Sequence, residues 1–252
     1  MTRIIMHGCN GRMGQMITNI VENTDDAQIV AGVDVYDKQL NDYPVFSSID
    51  KCDVEADVII DFANAKAIDN LLEVSVEKQI PVVLCTTGLS EEQLKKVEEA
   101  SKKVALLKSA NMSLGINLLM KVLKQVAPIL TEAGFDVEVV DRHHRNKLDA
   151  PSGTAIALAE AVNEGLPEAY ELVFDRSARR EVRPDKEIGF AAVRGGSIVG
   201  DHDVIFAGSN EVVTFTHNAY SREVFAKGAV AAAKFLAGKE PGWYTMADVI
   251  QL

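Results

Sequence analysis

The stretch Arg3-Ile4-Ile5-Met6-His7-Gly8-Cys9-Asn10-Gly11-Arg12-Met13-Gly14 decides the fold class. A short apolar run reads as a buried strand. Three glycines spaced three apart follow without a gap, and a helical pattern then runs from Gln15 to Asn23. Glycines placed this way allow a tight turn, close approach of the backbone to a pyrophosphate and close helix–strand packing. The spacing is Gly-x-x-Gly-x-x-Gly instead of the commoner Gly-x-Gly-x-x-Gly, and glycine triplets by themselves often do no more than turn the chain. Context sharpens the reading: Asp34 ends the next predicted strand, where an acid can accept hydrogen bonds from the ribose of a dinucleotide.

Outward from this point, strands are predicted at 3–7, 28–34, 57–62, 80–85, 104–109 and 136–142, with helices between most of them. That alternation is the signature of a parallel sheet wrapped by helices. Ligands sit at the carboxyl ends of such strands. Here those ends are Asp61-Phe62-Ala63, Cys85-Thr86-Thr87-Gly88 and Ser109-Ala110-Asn111-Met112, whose small and hydroxyl side chains leave room for a ribose and a nicotinamide. Each segment alone reads equally well as an ordinary turn. Ser90-Glu91-Glu92-Gln93 has the form of a capping box opening a helix that ends near Lys103. Another helix is expected over 117–133, with Leu118, Leu119, Val122, Leu123 and Val126 on one face and Pro128 disturbing its final turn.

The pattern changes after a helix at 154–164. Residues 166–187 are polar and read as a long loop. Apolar β-rich runs follow at 188–193, 198–206 and 212–216, and their close spacing predicts antiparallel neighbours. An Ala-rich helix from Arg222 to Leu236, stopped by Gly238, comes last. The expected class is α/β, a Rossmann-type parallel-sheet domain followed by a separate α+β domain with a mixed sheet.

The chain has 252 residues and a net charge of −11, with 47% apolar and 25% charged residues. Those values suit an ordinary globular protein and argue against nucleic acid as a partner, since no broad basic surface remains for phosphate. With no charged leader and no window read as a spanning helix, the expectation is a cytoplasmic protein without a membrane partner. Cys9, Cys52 and Cys85 are scattered without a Cys-x-x-Cys pair and read as reduced thiols.

A second stretch carries the chemistry: Asp141-Arg142-His143-His144-Arg145-Asn146-Lys147-Leu148-Asp149-Ala150-Pro151-Ser152-Gly153-Thr154. His143, His144 and Lys147 offer groups that can give up a proton near neutral pH. Pro151, Ser152 and Gly153 lead into a helix whose first backbone N–H groups would face any bound anion. An acid beside an anion cradle points to a small carboxylate or phosphate. A solvated basic run ahead of a simple helix cap is the plain alternative. Zinc is not expected, because neighbouring side chains on an extended segment point to opposite faces and no further His or Cys follows at ligand spacing.

Taken together, these segments resemble the dihydrodipicolinate reductase family. The resemblance rests on Gly8 to Gly14, Cys85 to Gly88, Ser109 to Ser113, the run from His143 to Thr154, and Arg194-Gly195-Gly196-Ser197-Ile198-Val199-Gly200-Asp201-His202. It implies NAD(P)H-dependent reduction of 4-hydroxy-2,3,4,5-tetrahydrodipicolinate, with loss of water, in diaminopimelate and lysine biosynthesis. It further implies that His143 and Lys147 are the catalytic acid/base pair and that His144, Gly153 and Thr154 hold the dicarboxylate substrate. Gly8, Cys9, Asn10, Gly11, Arg12, Met13, Asp34, Cys85, Thr86, Thr87, Ser109, Ala110, Asn111 and Met112 would line the cofactor. Cys85 departs from the family, which usually has glycine there.

The implied domains are 1–112 for the dinucleotide, 113–221 for substrate binding and homotetramer assembly, and 222–252 as a helix and tail returning to the first domain. Chain crossings near Ser113 and Arg222 would serve as hinges. Asp34 is followed by Val35 and Tyr36 without an adjacent arginine, so NADH is expected to serve at least as well as NADPH, with Lys38 and Arg12 as sources of residual NADPH tolerance. Two other readings stand beside this one. A different nicotinamide dehydrogenase of the same plan would act on an amino-acid semialdehyde, and a non-catalytic nicotinamide sensor would need a DNA-reading or partner-binding module, for which the sequence gives no signal.

Overall fold

The computed structural model describes residues 1–250; the last two positions of the predicted 222–252 segment lie outside the described residues. In chain order the first elements are β1 (Thr2–His7), α1 (Arg12–Glu22), β2 (Ala27–Val33), β3 (Val45–Phe46), β4 (Val58–Asp61), α2 (Ile68–Lys78), β5 (Val82–Leu84), α3 (Glu91–Ser101) and β6 (Ala105–Lys108). Next come α4 (Leu114–Glu132), β7 (Asp136–His143), α5 (Gly153–Gly165), β8 (Glu171–Val173), β9 (Glu187–Arg194), β10 (Gly200–Ala207) and β11 (Val212–Ala219). The chain closes with α6 (Glu223–Leu236), β12 (Gly242–Tyr244) and α7 (Met246–Val249). It divides into two compact units, one of residues 1–113 with 223–252 and the other of residues 114–222.

The first unit is a seven-stranded, all-parallel sheet in the order β12-β6-β5-β4-β1-β2-β3. Its strands read as unbroken apolar runs because both faces are covered. Alternation divides them: Ile4, Met6, Val58 and Ile60 pack with α1 and α6, whereas Ile5 and Ile59 pack with α2 and α3. The strand order reverses between β1 and β4, so a crevice opens at their carboxyl ends, directly where Gly8 begins the turn into α1. The capping box of α3 is formed, with Ser90 N–H donating to Gln93 Oε1 and Gln93 N–H donating to Ser90 Oγ. β3 and β12, two and three residues long, were too short for periodicity to announce.

In the second unit the sheet is mixed, in the order β11-β10-β7-β9-β8, with α4 and α5 packed on the face that carries Val137 and Val139. Two expectations need correction here. The run at 188–193 is not an antiparallel neighbour of the run at 198–206: β9 pairs in parallel with β7, and β7 lies between β9 and β10. The 195–199 connection passes the end of β7, held there by Gly195 N–H to His143 O and Arg145 N–H to Gly196 O. Proximity in sequence therefore did not give proximity in the sheet. The stretch 166–187 is also not all loop, since β8 adds an edge strand parallel to β9. Arg176, Arg179 and Arg183 anchor the remainder to Glu138 and the buried Glu187.

α4 differs from its prediction as well. It begins at Leu114, runs without interruption through Pro128, and turns Leu118 outward while Ile116, Leu123 and Ala127 face the core. Proline removes the N–H that would reach the carbonyl of Lys124. Gly165 packs against that carbonyl so closely that a Cβ would lie 2.3 Å from it. By length and composition α4 is apolar enough to cross a membrane, contrary to the expectation of no such window, and one of its faces packs against α5 and β11.

One glycine fixes the docking of α6. A Cβ on Gly228 would stand 1.6 Å from the carbonyl oxygen of Met112, a backbone atom with no flexible end to yield. Gly228→Ala is expected to lower unfolding free energy by about 1–3 kcal/mol, the usual range for overpacking. Gly195→Ala, where a Cβ meets open space, is expected to stay within about 0.5 kcal/mol of the parent. Urea unfolding of the two variants checks this, and equal stabilities would refute it.

Candidate active site

The first unit presents a cradle for an anion. Gly8 adopts φ +84°, and a Cβ there would stand 2.7 Å from the carbonyl oxygen of Phe62. A Cβ on Gly14 would fall 2.3 Å from the carbonyl oxygen of Gly8 and 2.5 Å from that of Cys9. The loop thus folds against α1 at distances that side chains forbid. α1 has Gly11 as its N-cap and no side-chain cap, so its first N–H groups remain for a ligand. Cys9 contributes backbone only: its side chain is buried against Gly32 and Tyr43, and burial pushes the thiol up to about 11, aided by the charge of Asp34.

Asp34 lies just beyond β2 and is tied to this loop. Its Oδ2 accepts the Asn10 N–H at 3.0 Å, and its Oδ1 accepts the Tyr36 N–H at 3.0 Å. The Asn10 side-chain amide donates to the carbonyls of Tyr36 and Lys38, clasping the loop after β2 to the glycine turn. Asn10 Oδ1 and Thr86 Oγ1 are buried without a partner among the described residues. Thr86 follows β5, Thr87 is exposed, and Cys85 is half-buried, its thiol raised by burial and by Asp61. Ser109, Ala110, Asn111 and Met112 follow β6, and Asn111 Oδ1 accepts the Ser113 N–H. A glycine cradle, an uncapped helix start and two orphaned polar atoms at the strand ends fit a dinucleotide.

Proton chemistry is concentrated in the second unit. Alternation along β7 puts Asp141 and His143 on one buried face, with His143 Nδ1 2.6 Å from Asp141 Oδ1. Sheet register completes the group: β10 places His202 opposite Asp141, and β9 places Arg194 beside His143. Arg194 donates to both oxygens of Asp141, at 2.7 and 3.3 Å, and to the carbonyl of Asp149. The backbone N–H of Ser152 also donates to Asp141 Oδ2. Ser152 caps α5, its Oγ accepting the Ala155 N–H and lying 3.1 Å from His202 Nε2.

These contacts set the charges. Burial alone would raise the Asp141 carboxyl, but the bonds from Arg194, Ser152 and His143 outweigh it and hold the group well below the usual carboxylate range. Burial lowers His143, assisted by Lys147 and Arg194 and opposed by Asp141. Burial and the neighbouring His143 push His202 down to about 4, so it is neutral at pH 7.

Lys147, in the turn after β7, lies 2.9 Å from Asp149 Oδ1, and that carboxylate is lowered first by Lys147 and further by the Gly153 N–H. The start of α5 therefore already holds a carboxylate of the chain itself. His144, the first residue beyond β7, is half-buried. Gly153 is exposed, and a Cβ there would meet nothing within 4 Å, while Thr154 is half-buried.

The expectation that no third ligand approaches the histidines needs correction, because the fold brings His202 within reach: the donor atoms of Asp141, His143 and His202 all lie within 4.8 Å of one another. The donor set nonetheless favours hydrogen bonds over a cation, since Asp141 already accepts four N–H donors, two from a guanidinium whose positive charge would oppose a metal ion.

Comparison with known sequences decides the family. Residues 2–112 match the profile described as "Dihydrodipicolinate reductase, N-terminus", and residues 115–250 match "Dihydrodipicolinate reductase, C-terminus". The chain belongs to the dihydrodipicolinate reductase family. A 4-hydroxy-tetrahydrodipicolinate reductase of Caldanaerobacter subterraneus subsp. tengcongensis is 53% identical over 251 residues, covering 100% of this chain and 99% of the relative. One from Clostridium novyi is 48% identical with the same coverage. Among solved structures, a dipicolinate-bound dihydrodipicolinate reductase from Paenisporosarcina sp. TG-14 shares the fold, with TM-score 0.80, 24% identity and full coverage of both chains.

Within this dihydrodipicolinate reductase fold, the sequence reading missed Asp141 and His202 as neighbours of His143, and Arg194 and Ser152 as partners of Asp141. One signal was available: Asp141-x-His143 on a strand puts both side chains on one face. Nothing in the sequence could announce Arg194 or His202, which arrive through register with strands 50 or more positions away.

Buried His202 makes stability depend on pH. The unfolded chain protonates it near pH 6.5 and the folded chain only near about 4, so the unfolded state binds more protons between those limits. Stability is expected to fall as pH drops through that window, with a slope approaching about 1.4 kcal/mol per pH unit from this group. The depressed Asp141 acts lower: its contribution is present above the ordinary carboxyl range and is lost as pH falls through its folded value. Urea midpoints from pH 7 to 4 should fall less steeply in His202→Gln than in the parent, and parallel curves would contradict this account.

Proposed function

We propose that His143 and Lys147 carry the reduction of 4-hydroxy-tetrahydrodipicolinate, the reaction for which the relatives at 45–53% identity are named. The chain is an oxidoreductase of diaminopimelate and lysine biosynthesis and uses a nicotinamide cofactor. The observation that carries the residue assignment is the carboxylate already gathered by Lys147 and the start of α5, beside the buried Asp141–His143 pair. Asp149 is a half-exposed partner, and such pairs contribute little, so a substrate carboxylate can take its place on Lys147. The dipicolinate in the Paenisporosarcina protein, a planar dicarboxylate, supports a ligand of that class.

When bound, the nicotinamide supplies a hydride. Reduction with loss of water consumes one proton besides, and the chain's own residues must provide it. In its protonated form His143 carries a second proton on the ring nitrogen not engaged by Asp141, and that is the proton it gives up. Lys147 balances the charge of one carboxylate, the N–H groups of Gly153 and Thr154 at the α5 start orient it, and His144 contributes a polar contact. The glycine cradle from Gly8 to Met13, with Asp34, Cys85, Thr86, Thr87 and Ser109 to Met112, would hold the cofactor. On this reading residues 1–112 with 222–252 serve the dinucleotide and 113–221 serve substrate and homotetramer assembly, in the cytoplasm.

Purified protein given NADH and the product of dihydrodipicolinate synthase should consume the nicotinamide absorbance. His143→Ala and Lys147→Ala should each lose about 10²–10⁴-fold in kcat, the range of a positioned acid or base, while NADH affinity stays unchanged. Near-normal kcat in His143→Ala would overturn the assignment.

Cofactor choice rests on Asp34. A carboxylate fixed by Asn10 and Tyr36 repels a 2′-phosphate, and the exposed Arg12 and Lys38 offer only screened compensation. NADH should serve at least as well as NADPH. A kcat/KM for NADPH about tenfold above that for NADH, equivalent to about 1.4 kcal/mol, would sink this reading.

A further inference from the structure

We propose that Asp141 is a positioning residue for His143: its carboxylate fixes the ring with the proton on Nδ1, leaving Nε2 as the atom that exchanges a proton with the substrate. The proposal rests on the reading of His143 as the proton carrier. A carboxylate can only accept, so the 2.6 Å contact requires Nδ1 to be the protonated nitrogen of the neutral ring. Asp141 is fully buried and His143 is 8% exposed, so no water competes for this bond.

The carboxylate is itself immobilised from two directions. Arg194, on β9, bonds both of its oxygens, and the Ser152 N–H, at the cap of α5, bonds Oδ2. The guanidinium keeps Asp141 ionised despite its burial, and the helix start keeps it from turning. Two elements besides its own strand thus hold the acceptor that orients one imidazole.

The opposite edge of the ring is open. Among the described residues His143 Nε2 has no hydrogen-bond partner. It lies over Gly200, where a Cβ would stand 3.0 Å from Nε2, so any side chain at that position would crowd this nitrogen. His202 packs edge-on against His143, with ring centroids 5.1 Å apart, and its neutrality spares His143 a second positive charge. The titratable and charged groups facing His143 are Asp141 from its own strand, Arg194 from β9, His202 from β10 and Lys147 from the turn after β7. Only Asp141 among them favours the protonated ring, so losing its charge moves His143 further down.

Asp141→Asn separates positioning from simple support of the α5 cap. The amide oxygen can still accept from Ser152 and Arg194, but its NH₂ group would face Nδ1 and reverse the tautomer. Nitrogen-15 spectra of the ring should show Nδ1–H in the parent and Nε2–H in Asp141→Asn. In the same variant kcat should fall at least about 10²-fold. KM for the dicarboxylate substrate and NADH affinity should hold, and the alkaline fall of kcat should shift to lower pH. A folded Asp141→Asn protein with parental kcat, or with Nδ1 still protonated, would overturn the proposal. Should that variant not fold, the parent spectrum decides alone, and a predominant Nε2–H form refutes it. Full activity in His143→Ala would instead sink the reading of His143 as proton carrier, leaving the tautomer result standing.

Discussion

A carboxylate buried away from water has to be satisfied where it stands, and Asp141 meets that requirement with donors from three separate elements. Its own strand supplies His143, β9 supplies Arg194, and the first turn of α5 supplies the Ser152 amide. Removing any one would leave charge in an apolar setting, where the desolvation penalty amounts to several kcal/mol. The constraint runs outward from there. β9 must lie beside β7 so that Arg194 reaches Asp141, and α5 must begin at Ser152 so that its amide points inward. The anion-binding start of that helix is then held next to the histidine by the same carboxylate.

The nucleotide half is organised by a different economy, the absence of side chains. Gly8 and Gly14 let the loop, the following helix and the end of β4 approach at distances that a Cβ would forbid. The turn offers backbone N–H groups and a helix dipole, with the Arg12 side chain exposed at its edge. Charge enters only at its rim, where Asp34 is tied to Asn10 and Tyr36 and so presents a fixed negative group rather than a mobile one. In the first unit the positive charge is partial and comes from the backbone, and in the second it is the full charge of Lys147, held against the Asp149 carboxylate.

Within the proton-handling cluster, burial acts on every titratable member in the direction of neutrality, and bonding decides which of them escapes it. His202 meets no acid directly and goes far down. Asp141, with four donors, stays ionised, and His143 lies between the two influences. A ring poised in this way owes its properties to neighbours from three strands and a turn.

The local steps were legible in the sequence. The strand–glycine–helix run from Arg3 to Asn23, the capping box at Ser90, the apolar strands of the first unit and the helix start after Ser152 all follow from short-range rules of turn chemistry, capping and periodicity. Residue types alone also offered His143, His144 and Lys147 as proton sources ahead of the helix start at Gly153, and only the family resemblance singled out His143 with Lys147. What sequence could not supply was adjacency across strands. The passage of the 195–199 link beyond the end of β7, the arrival of Arg194 and His202 at Asp141, and the outward turn of Leu118 depend on register and on which face of an element finds a partner. Those outcomes are decided by packing of the whole sheet, because hydrogen-bonded neighbours in a mixed sheet need not be neighbours in the chain.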